Sequence, residues 1–116
     1  MNSFNKLPQF EKEFLKLSKK YKSLPEDLKK LENLIALEPI GLGTNFVVIH
    51  QSDEVKIVKA RLACKSLRGR SIRIIYAHHT DTFTFVYIEI YFKGNKENED
   101  RKRIEDYIKN TRHYLS

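Results

Sequence analysis

The first third of the chain has the apolar spacing of an amphipathic helix. After Pro8, lysines and glutamates separate apolar residues that recur every three or four positions: Phe10, Phe14, Leu17 and Tyr21. This spacing places the apolar side chains on one stripe of a helix, which can then pack on a core. We therefore expect a first helix that begins near Pro8.

A second apolar stripe follows within a few residues. Residues 23–26, Ser-Leu-Pro-Glu, have the Ser-x-x-Glu form of a capping box at a helix start. The stripe then continues towards Pro39 through Leu28, Leu31, Leu34 and Ile35. Because so few residues separate the two stripes, we expect a helical hairpin. The Pro- and Gly-containing residues 38–45 are expected to form a loop.

Beyond this loop the apolar period changes to two, which predicts β-strands. In residues 58–65 the apolar and basic side chains alternate, with Val58, Ala60, Leu62 and Cys64 on one face and Lys59, Arg61 and Lys65 on the other. Residues 66–70, Ser-Leu-Arg-Gly-Arg, then predict a basic turn. On the next strand Ile72, Ile74 and Tyr76 share one face, and Arg73 lies on the opposite face.

The last predicted strand follows a connection at residues 78–82, His-His-Thr-Asp-Thr. Strict alternation would direct Val86, Ile88, Ile90 and Phe92 to one face and Phe83, Phe85, Tyr87, Glu89 and Tyr91 to the other. The charged tail carries a thin apolar stripe at Ile104, Tyr107 and Ile108, which predicts a short C-terminal helix capped at Asn95 or Asn98.

These elements predict one α+β domain over residues 1–116. Its N-terminal helical hairpin would pack on one face of a small antiparallel sheet, and the other face would stay partly open. Cys64 shares the apolar face, so we expect it to be buried.

The amino-acid composition limits the classes of binding partner and the cellular compartment that we expect. The 22 Lys and Arg residues outnumber the 15 Asp and Glu residues, for a formal charge of +7. This excess favours an acidic partner, such as nucleic acid, an anionic membrane or an acidic protein. The sequence has no apolar run of about 18 residues that could span a bilayer, no stretch typical of a signal peptide, and a single cysteine. We expect a cytoplasmic protein without a membrane partner.

The open face of the sheet collects the candidate site residues. We expect Lys59, Arg61, Arg73, Glu89, Tyr91 and Lys93 to surround a shallow groove with aromatic rings on its floor. Such a groove suits single-stranded nucleic acid, because cations hold phosphates while rings stack on bases. The basic residues Lys65, Arg68 and Arg70 around the turn would extend the RNA contact.

A simpler interpretation is also open. Cations on one face of an antiparallel sheet are often only solvated, and Glu89 could serve just to neutralise Arg73 on the neighbouring strand. The sequence has no zinc-ligand spacing, nucleophile motif or phosphate-binding glycine loop, so we expect no metal and no cofactor.

The order of two helices, a basic strand, the strand "SIRIIYAH" and the segment "IEIYFKGNKENED" resembles the RelE/ParE superfamily of bacterial toxins. The resemblance extends over roughly residues 8 to 108. It implies that Lys59 and Arg61 lie on the family's basic strand, that Arg73 is its strand arginine, and that Lys93 occupies a position where many of the nucleases have Arg or His. Some members carry a catalytic tyrosine after the last strand. Here residues 97–100 lie at that point, and Tyr91 is the candidate substitute.

The resemblance implies a toxin held silent by an acidic antitoxin segment. RelE-like members cut messenger RNA on the ribosome, so a metal-free attack by the substrate 2′-OH is expected. Arg61 and Arg73 would stabilise the phosphoryl charge, Glu89 or Lys59 would act as base, and Tyr91 or Lys93 would act as acid. Two alternatives remain open, a ParE-like inhibitor that binds DNA gyrase and a non-catalytic module that binds RNA or protein.

Overall fold

The computed structural model describes residues 2–41 and 43–115, except for the side chains of Arg70 and residues 112–115. Within these ranges the chain forms three α-helices and a five-stranded sheet. In chain order the elements are β1 (Ser3–Lys6), α1 (Pro8–Lys20), α2 (Leu24–Leu37), β2 (Phe46–Gln51), β3 (Val55–Cys64), β4 (Gly69–His79), β5 (Thr84–Phe92) and α3 (Arg101–Leu115). The predicted α+β class is confirmed.

The strands lie in the order β1-β5-β4-β3-β2. Strands β2, β3, β4 and β5 pair antiparallel with one another, whereas β1 runs parallel to β5, with Ser3 opposite Thr84. The prediction of a wholly antiparallel sheet is therefore wrong at this edge. Strand β1 was not predicted because it has only four residues, and β2 was not predicted because Val47, Val48 and Ile49 are consecutive and do not alternate with polar residues.

Helices α1 and α2 cover the same face of the sheet. Helix α1 lies mainly over β5 and α2 mainly over β3, while the two helices contact each other less. The two predicted helices are therefore present. Each packs mainly on the sheet rather than on the other helix, so they do not form a closely packed hairpin. Their buried apolar residues join one core with the sheet: Phe10, Leu24, Leu28, Leu31 and Ile35. Cys64 is buried in the same core, as predicted.

The predicted capping box at the start of α2 does not form. Ser23 makes no side-chain cap to the helix backbone. Its hydroxyl instead donates to Asp27 Oδ2 at 2.7 Å and accepts the backbone N–H of Ser66 at 2.8 Å. Ser23 therefore ties the start of α2 to the turn between β3 and β4, which fixes the position of that turn.

Strand β5 contains a bulge that the sequence pattern did not reveal. Ile75 pairs with Glu89 and Tyr76 pairs with Tyr87, so Ile88 is an extra residue on β5. A bulge of one residue shifts the alternation of side chains, so the two halves of the strand cannot follow one continuous pattern.

The bulge reverses the predicted orientation of the first half of β5. Phe85 and Tyr87 pack in the core under α1 and α2, whereas Val86 and Ile88 face the opposite side of the sheet. The prediction for these four residues is therefore wrong. After the bulge the prediction holds, because Ile90 lies under the N-terminal helices.

Helix α3 covers half of the second face. Its residues Ile104, Tyr107 and Ile108 pack on a second apolar cluster of the sheet. The Tyr107 hydroxyl also forms a hydrogen bond with His79 Nε2 at 2.5 Å. His79 and its neighbour His78 belong to β4 and not to the predicted turn, and burial lowers the pKa of both imidazoles.

The N-terminus of α3 differs from the expected one. The helix begins at Arg101, and the side chain of Asp100 accepts the backbone N–H of Arg103 at 3.1 Å. Asp100 is thus the capping residue, in place of Asn95 or Asn98. In the part of the chain that the structure describes, no helix is long and apolar enough to cross a membrane.

Candidate functional site

The half of the second sheet face that α3 leaves uncovered contains a cleft of about 200 Å³. We call it the basic cleft. Its lining residues come from the loop before β2, from strands β2, β3 and β4, and from the segment after β5. They are Thr44, Asn45, Val47, Ile49, Lys59, Arg61, Arg73, Lys93 and Glu99. Four of the six predicted catalytic residues thus come together there.

Arg61 and Arg73 lie directly opposite each other on β3 and β4. Both side chains face the cleft because they occupy the same face of two paired strands. Arg61 is exposed, whereas Arg73 is only 7% exposed. Burial, together with the charge of Arg61, lowers the pKa of Arg73. The expectation that Arg73 lies on an open surface is therefore wrong.

Lys59 forms an ion pair across the cleft. Its Nζ donates to Glu99 Oε1 at 2.8 Å, and Glu99 Oε2 lies 3.6 Å from Arg101. Burial opposes the charged form of each partner, but the hydrogen bond and the opposite charge outweigh it, so the pKa of Lys59 is raised and the pKa of Glu99 is lowered. A raised pKa keeps the Lys59 ammonium protonated, which does not suit the role of general base that was expected for Lys59 or Glu89.

Glu89 and Tyr91 lie beneath the surface, outside the lining of the cleft. Glu89 is 0% exposed. Its carboxylate pairs with Lys96 and accepts the backbone N–H of Asp100 at 2.8 Å. Glu89 thus anchors the segment between β5 and α3. Its ion-pair partner is Lys96, whereas the expected partner was Arg73.

The Tyr91 ring is also buried, and burial raises the pKa of its hydroxyl. The Lys96 ammonium lies 5.6 Å from the centre of this ring. Of the other rings expected on this face, Phe85 and Tyr87 belong to the core under α1 and α2, and Phe83 is exposed before β5 begins. The predicted aromatic platform for stacked bases is therefore wrong for Phe85 and Tyr87.

The three predicted RNA-binding residues belong to the region around the β3–β4 turn. Lys65 and Arg68 are exposed and line a second, wider groove with Lys30 and Asp27. Arg68 adopts a left-handed backbone with φ of 53° at the end of the turn. The side chain of Arg70 lies outside the described residues. The predicted basic residues therefore line two separate grooves, with the pair Arg61 and Arg73 in the basic cleft and Lys65 and Arg68 in a groove beside α2.

Glu99 is the functional candidate that sequence reasoning missed. It comes from an acidic stretch that looks like a solvated turn, and its position depends on how Glu89 anchors that turn. No local sequence signal marks it. Among the residues that the structure describes, no group of three or more His, Cys, Asp or Glu side chains is arranged to hold a metal ion.

Comparison with known proteins identifies the fold. No family model matches the chain, and no curated protein matches it. A chain of the archaeal RelE–RelB complex from Pyrococcus horikoshii OT3 resembles it in structure, with a TM-score of 0.62 and 14% sequence identity. The match covers 80% of this chain and 96% of that chain. The predicted RelE-like fold is thereby confirmed.

Proposed function

We propose that this chain is the toxin of a toxin–antitoxin pair, and that its basic cleft cuts messenger RNA on the ribosome without a metal ion. The RelE-like fold supports the toxin part of the proposal, because the structural relative is a RelE–RelB complex. A fold alone does not determine chemistry, so the endonuclease part depends on the cleft.

The observation that carries the endonuclease proposal is the pair of arginines. Arg61 and Arg73 are cross-strand neighbours on one face, and like charges in this arrangement destabilise a sheet. An RNA phosphate between them would relieve that repulsion, since each guanidinium can donate two hydrogen bonds to phosphate oxygens. Lys93 lines the same cleft and adds a cation that does not belong to the Lys59–Glu99 ion pair.

The proposed reaction is an attack by the 2′-OH on the neighbouring phosphate. The 2′-oxygen loses its proton and bonds to phosphorus, the bond from phosphorus to the 5′-oxygen breaks, and the leaving oxygen takes up a proton. Arg61 and Arg73 stabilise the charge that develops on the phosphoryl oxygens. Among the predicted bases, Lys59 is held protonated by Glu99 and Glu89 is buried. Glu99 lines the cleft and Glu89 does not, so the Glu99 carboxylate is the proposed proton acceptor and Lys93 is the proposed donor.

The second groove extends the proposed RNA contact. Lys65 and Arg68 are exposed beyond Arg61 along the end of β3 and the following turn. Phosphates on either side of the cleavage site would contact these cations, and Arg70 follows them in the sequence. This part of the surface contributes affinity rather than chemistry, since backbone contacts position a nucleic acid.

A kinetic test uses two cleft variants and one matched control. Arg61→Ala removes an exposed arginine of the pair, and Arg73→Lys keeps the buried charge but loses the two-pronged contact. We expect Arg61→Ala to slow messenger cleavage about 100-fold or more, the usual loss for one well-placed donor. Arg73→Lys should retain partial activity. Lys19→Ala removes one exposed charge on α1 and should cleave at the normal rate.

The measurement is cleavage of a defined messenger in a purified translation system, mapped by primer extension. Circular dichroism of each variant controls for folding. Unchanged cleavage by both cleft variants would show that the basic cleft is not the site. If the normal protein leaves translation intact but blocks supercoiling by DNA gyrase, the ParE-like alternative replaces this proposal.

A further inference from the structure

The C-terminal half of α3 is joined to the sheet through a histidine. His79 ends β4 and faces α3, where its Nε2 and the Tyr107 hydroxyl form a hydrogen bond of 2.5 Å. The centres of the two rings lie 5.9 Å apart. Burial raises the pKa of Tyr107 to about 12, so its hydroxyl keeps its proton near neutral pH. His79 is therefore the member of this pair that can change its charge in that range.

The groups that face His79 suit the neutral imidazole. Its neighbours on the adjacent strands are Val55 and Thr84, and Thr111 lies beside Tyr107 on α3. None of these side chains is charged. In the part of the chain that the structure describes, no ion pair includes His79. Burial lowers the pKa of the imidazole, because the charged ring would lose water without gaining an ion-pair partner.

The charged groups near this end of the sheet would not neutralise a protonated His79. Lys56 lies opposite His78, the neighbour of His79 in β4. Burial, followed by the charges of Lys56 and His79, lowers the pKa of His78 as well. The other described charged residues of the adjoining turns and of α3 next to Tyr107 are exposed: Asp53, Glu54, Asp81, Glu105, Asp106 and Lys109. Protonation would thus leave an unpaired cation between β4 and α3.

Different groups hold the N-terminal half of α3. The guanidinium of Arg103 donates to Glu13 Oε2 of α1 at 2.8 Å and to the Ile88 carbonyl oxygen of β5 at 3.0 Å. Asp100 caps the first turn of the helix. Arginine and ordinary carboxyl groups do not change charge near the usual histidine pKa of about 6.5. These contacts therefore persist when a histidine is protonated.

We propose that His79 is a pH-sensitive switch: the neutral imidazole holds the C-terminal half of α3 on the sheet, and the protonated imidazole releases it while Arg103 keeps the N-terminal half docked. Release would uncover the part of the second apolar cluster on which Tyr107 and Ile108 pack. The contribution of His79 to docking is complete above the pKa of an unfolded histidine, about 6.5. It is lost as the pH falls through the lower pKa that His79 has in the folded protein.

A second histidine lies beside α3 and needs its own control. His50 of β2 lines a cavity of about 160 Å³ with Ile104 and Ile108. Its Nε2 is buried and has no hydrogen-bond partner among the described residues. A charge on His50 would also act on α3, so the experiment includes a variant of each histidine. Neither histidine lines the basic cleft, so the switch can be tested independently of messenger cleavage.

The test is amide hydrogen exchange of the whole chain between about pH 7.5 and pH 5.5, on either side of the usual histidine pKa of about 6.5. Rates are corrected for the intrinsic effect of pH on exchange. In the normal protein we expect the amides of residues 108–111 to lose protection as the pH falls. The amides of residues 104–106 should keep theirs, because the Arg103 contacts do not titrate in this interval.

Three variants identify the titrating group. His79→Gln retains a side chain that can donate and accept a hydrogen bond but cannot titrate, so residues 108–111 should stay protected at the lower pH. Tyr107→Phe removes only the hydroxyl and should reduce their protection about five-fold at the higher pH, the effect of one lost hydrogen bond. The His79 pKa, measured by NMR, should then rise because its burial is reduced. His50→Gln should keep the pH dependence of the normal protein.

Three results would overturn the proposal: protection of residues 108–111 that does not change with pH, a change that persists in His79→Gln, or a simultaneous loss of protection in every element, which would be acid unfolding of the whole domain. Loss of the pH dependence in His50→Gln alone would assign the switch to His50. If His79→Gln leaves residues 108–111 unprotected at both pH values, the NMR titration of the normal protein decides. A His79 pKa at or above the usual value of about 6.5 would then contradict the proposal.

Discussion

Arg73 is held in place because most of its long side chain is buried in the sheet. The stem of a buried arginine packs on apolar neighbours, so truncation to alanine would remove packing as well as charge. Arg61, on the facing strand, is exposed and can be truncated with little loss of packing. In the proposed cleavage the two arginines would therefore have different roles. Arg73 would fix the position of the phosphate, and Arg61 would adjust to it.

The ion pair between Lys59 and Glu99 makes a prediction about stability and pH. The pKa of Glu99 is lowered in the folded protein. The charged carboxylate therefore stabilises the fold fully at pH values above the pKa that Glu99 has in the unfolded chain. This stabilisation is lost as the pH falls through the pKa of Glu99 in the folded protein. Because Lys59 is partly exposed, we expect Glu99→Gln to lower the free energy of unfolding by only about 1 kcal/mol at pH 7.

Urea unfolding from pH 7 down to pH 3.5 (an interval that brackets the usual carboxyl pKa of about 4.3) tests this prediction. The difference between the normal protein and the Glu99→Gln variant should shrink as Glu99 is protonated. Asp53→Asn, at an exposed carboxylate in the β2–β3 turn, is the matched control. A difference that is constant with pH would mean that the Glu99 charge does not stabilise the fold.

At the scale of elements, helix α3 is what divides the second face of the sheet into a covered half and a cleft. Ile104 of α3 is buried in one apolar cluster with Ile57, Ile75 and Ile88. We expect Ile104→Ala to lower the free energy of unfolding by about 2 kcal/mol, at the small end of the usual range for such a truncation, because Ile104 lies on a helix that covers only half of this face.

Equilibrium unfolding in urea measures this loss, and Lys102→Ala on the exposed side of α3 serves as the control. A loss as small as that of the control would indicate that α3 does not dock on the sheet in solution. Hydrogen exchange at residues of α3 and β4 would then be fast, which provides a second measurement of the same contact.

The elements that could be predicted are those in which the apolar residues keep one regular spacing over the whole element. Helix α1 and strand β3 have such patterns, and β3 correctly directed Lys59 and Arg61 towards the cleft. In strand β2 the apolar and polar residues do not alternate. The bulge at Ile88 lies within a run of apolar and aromatic residues, so the extra residue does not visibly interrupt the sequence pattern. The position of Glu99 depends on long-range contacts of the turn, which no local pattern contains.

At the scale of the whole molecule, the excess of positive charge should appear as a dependence of RNA binding on salt. Each phosphate contact with single-stranded RNA contributes about 0.7 to the slope of log affinity against log salt. We expect Arg61→Ala to reduce the slope by about 0.7, because one contact is lost. Lys19→Ala removes the same charge away from the cleft and should leave the slope unchanged.

Fluorescence anisotropy with a labelled single-stranded RNA over a range of salt concentrations measures these slopes. Equal slopes for the Arg61→Ala variant and the normal protein would mean that bound RNA does not contact the cleft. A loss of slope in both variants would indicate a diffuse attraction to the net charge of the molecule.

The parallel pairing of β1 with β5 also has a consequence for synthesis. Ser3 emerges from the ribosome long before its neighbour Thr84 is translated. Contacts between residues so distant in sequence form late and slowly. The cleft likewise combines Lys59 with Lys93 and Glu99. A growing chain therefore has no complete cleft until Glu99 has left the ribosome, so the proposed cleavage cannot begin before then.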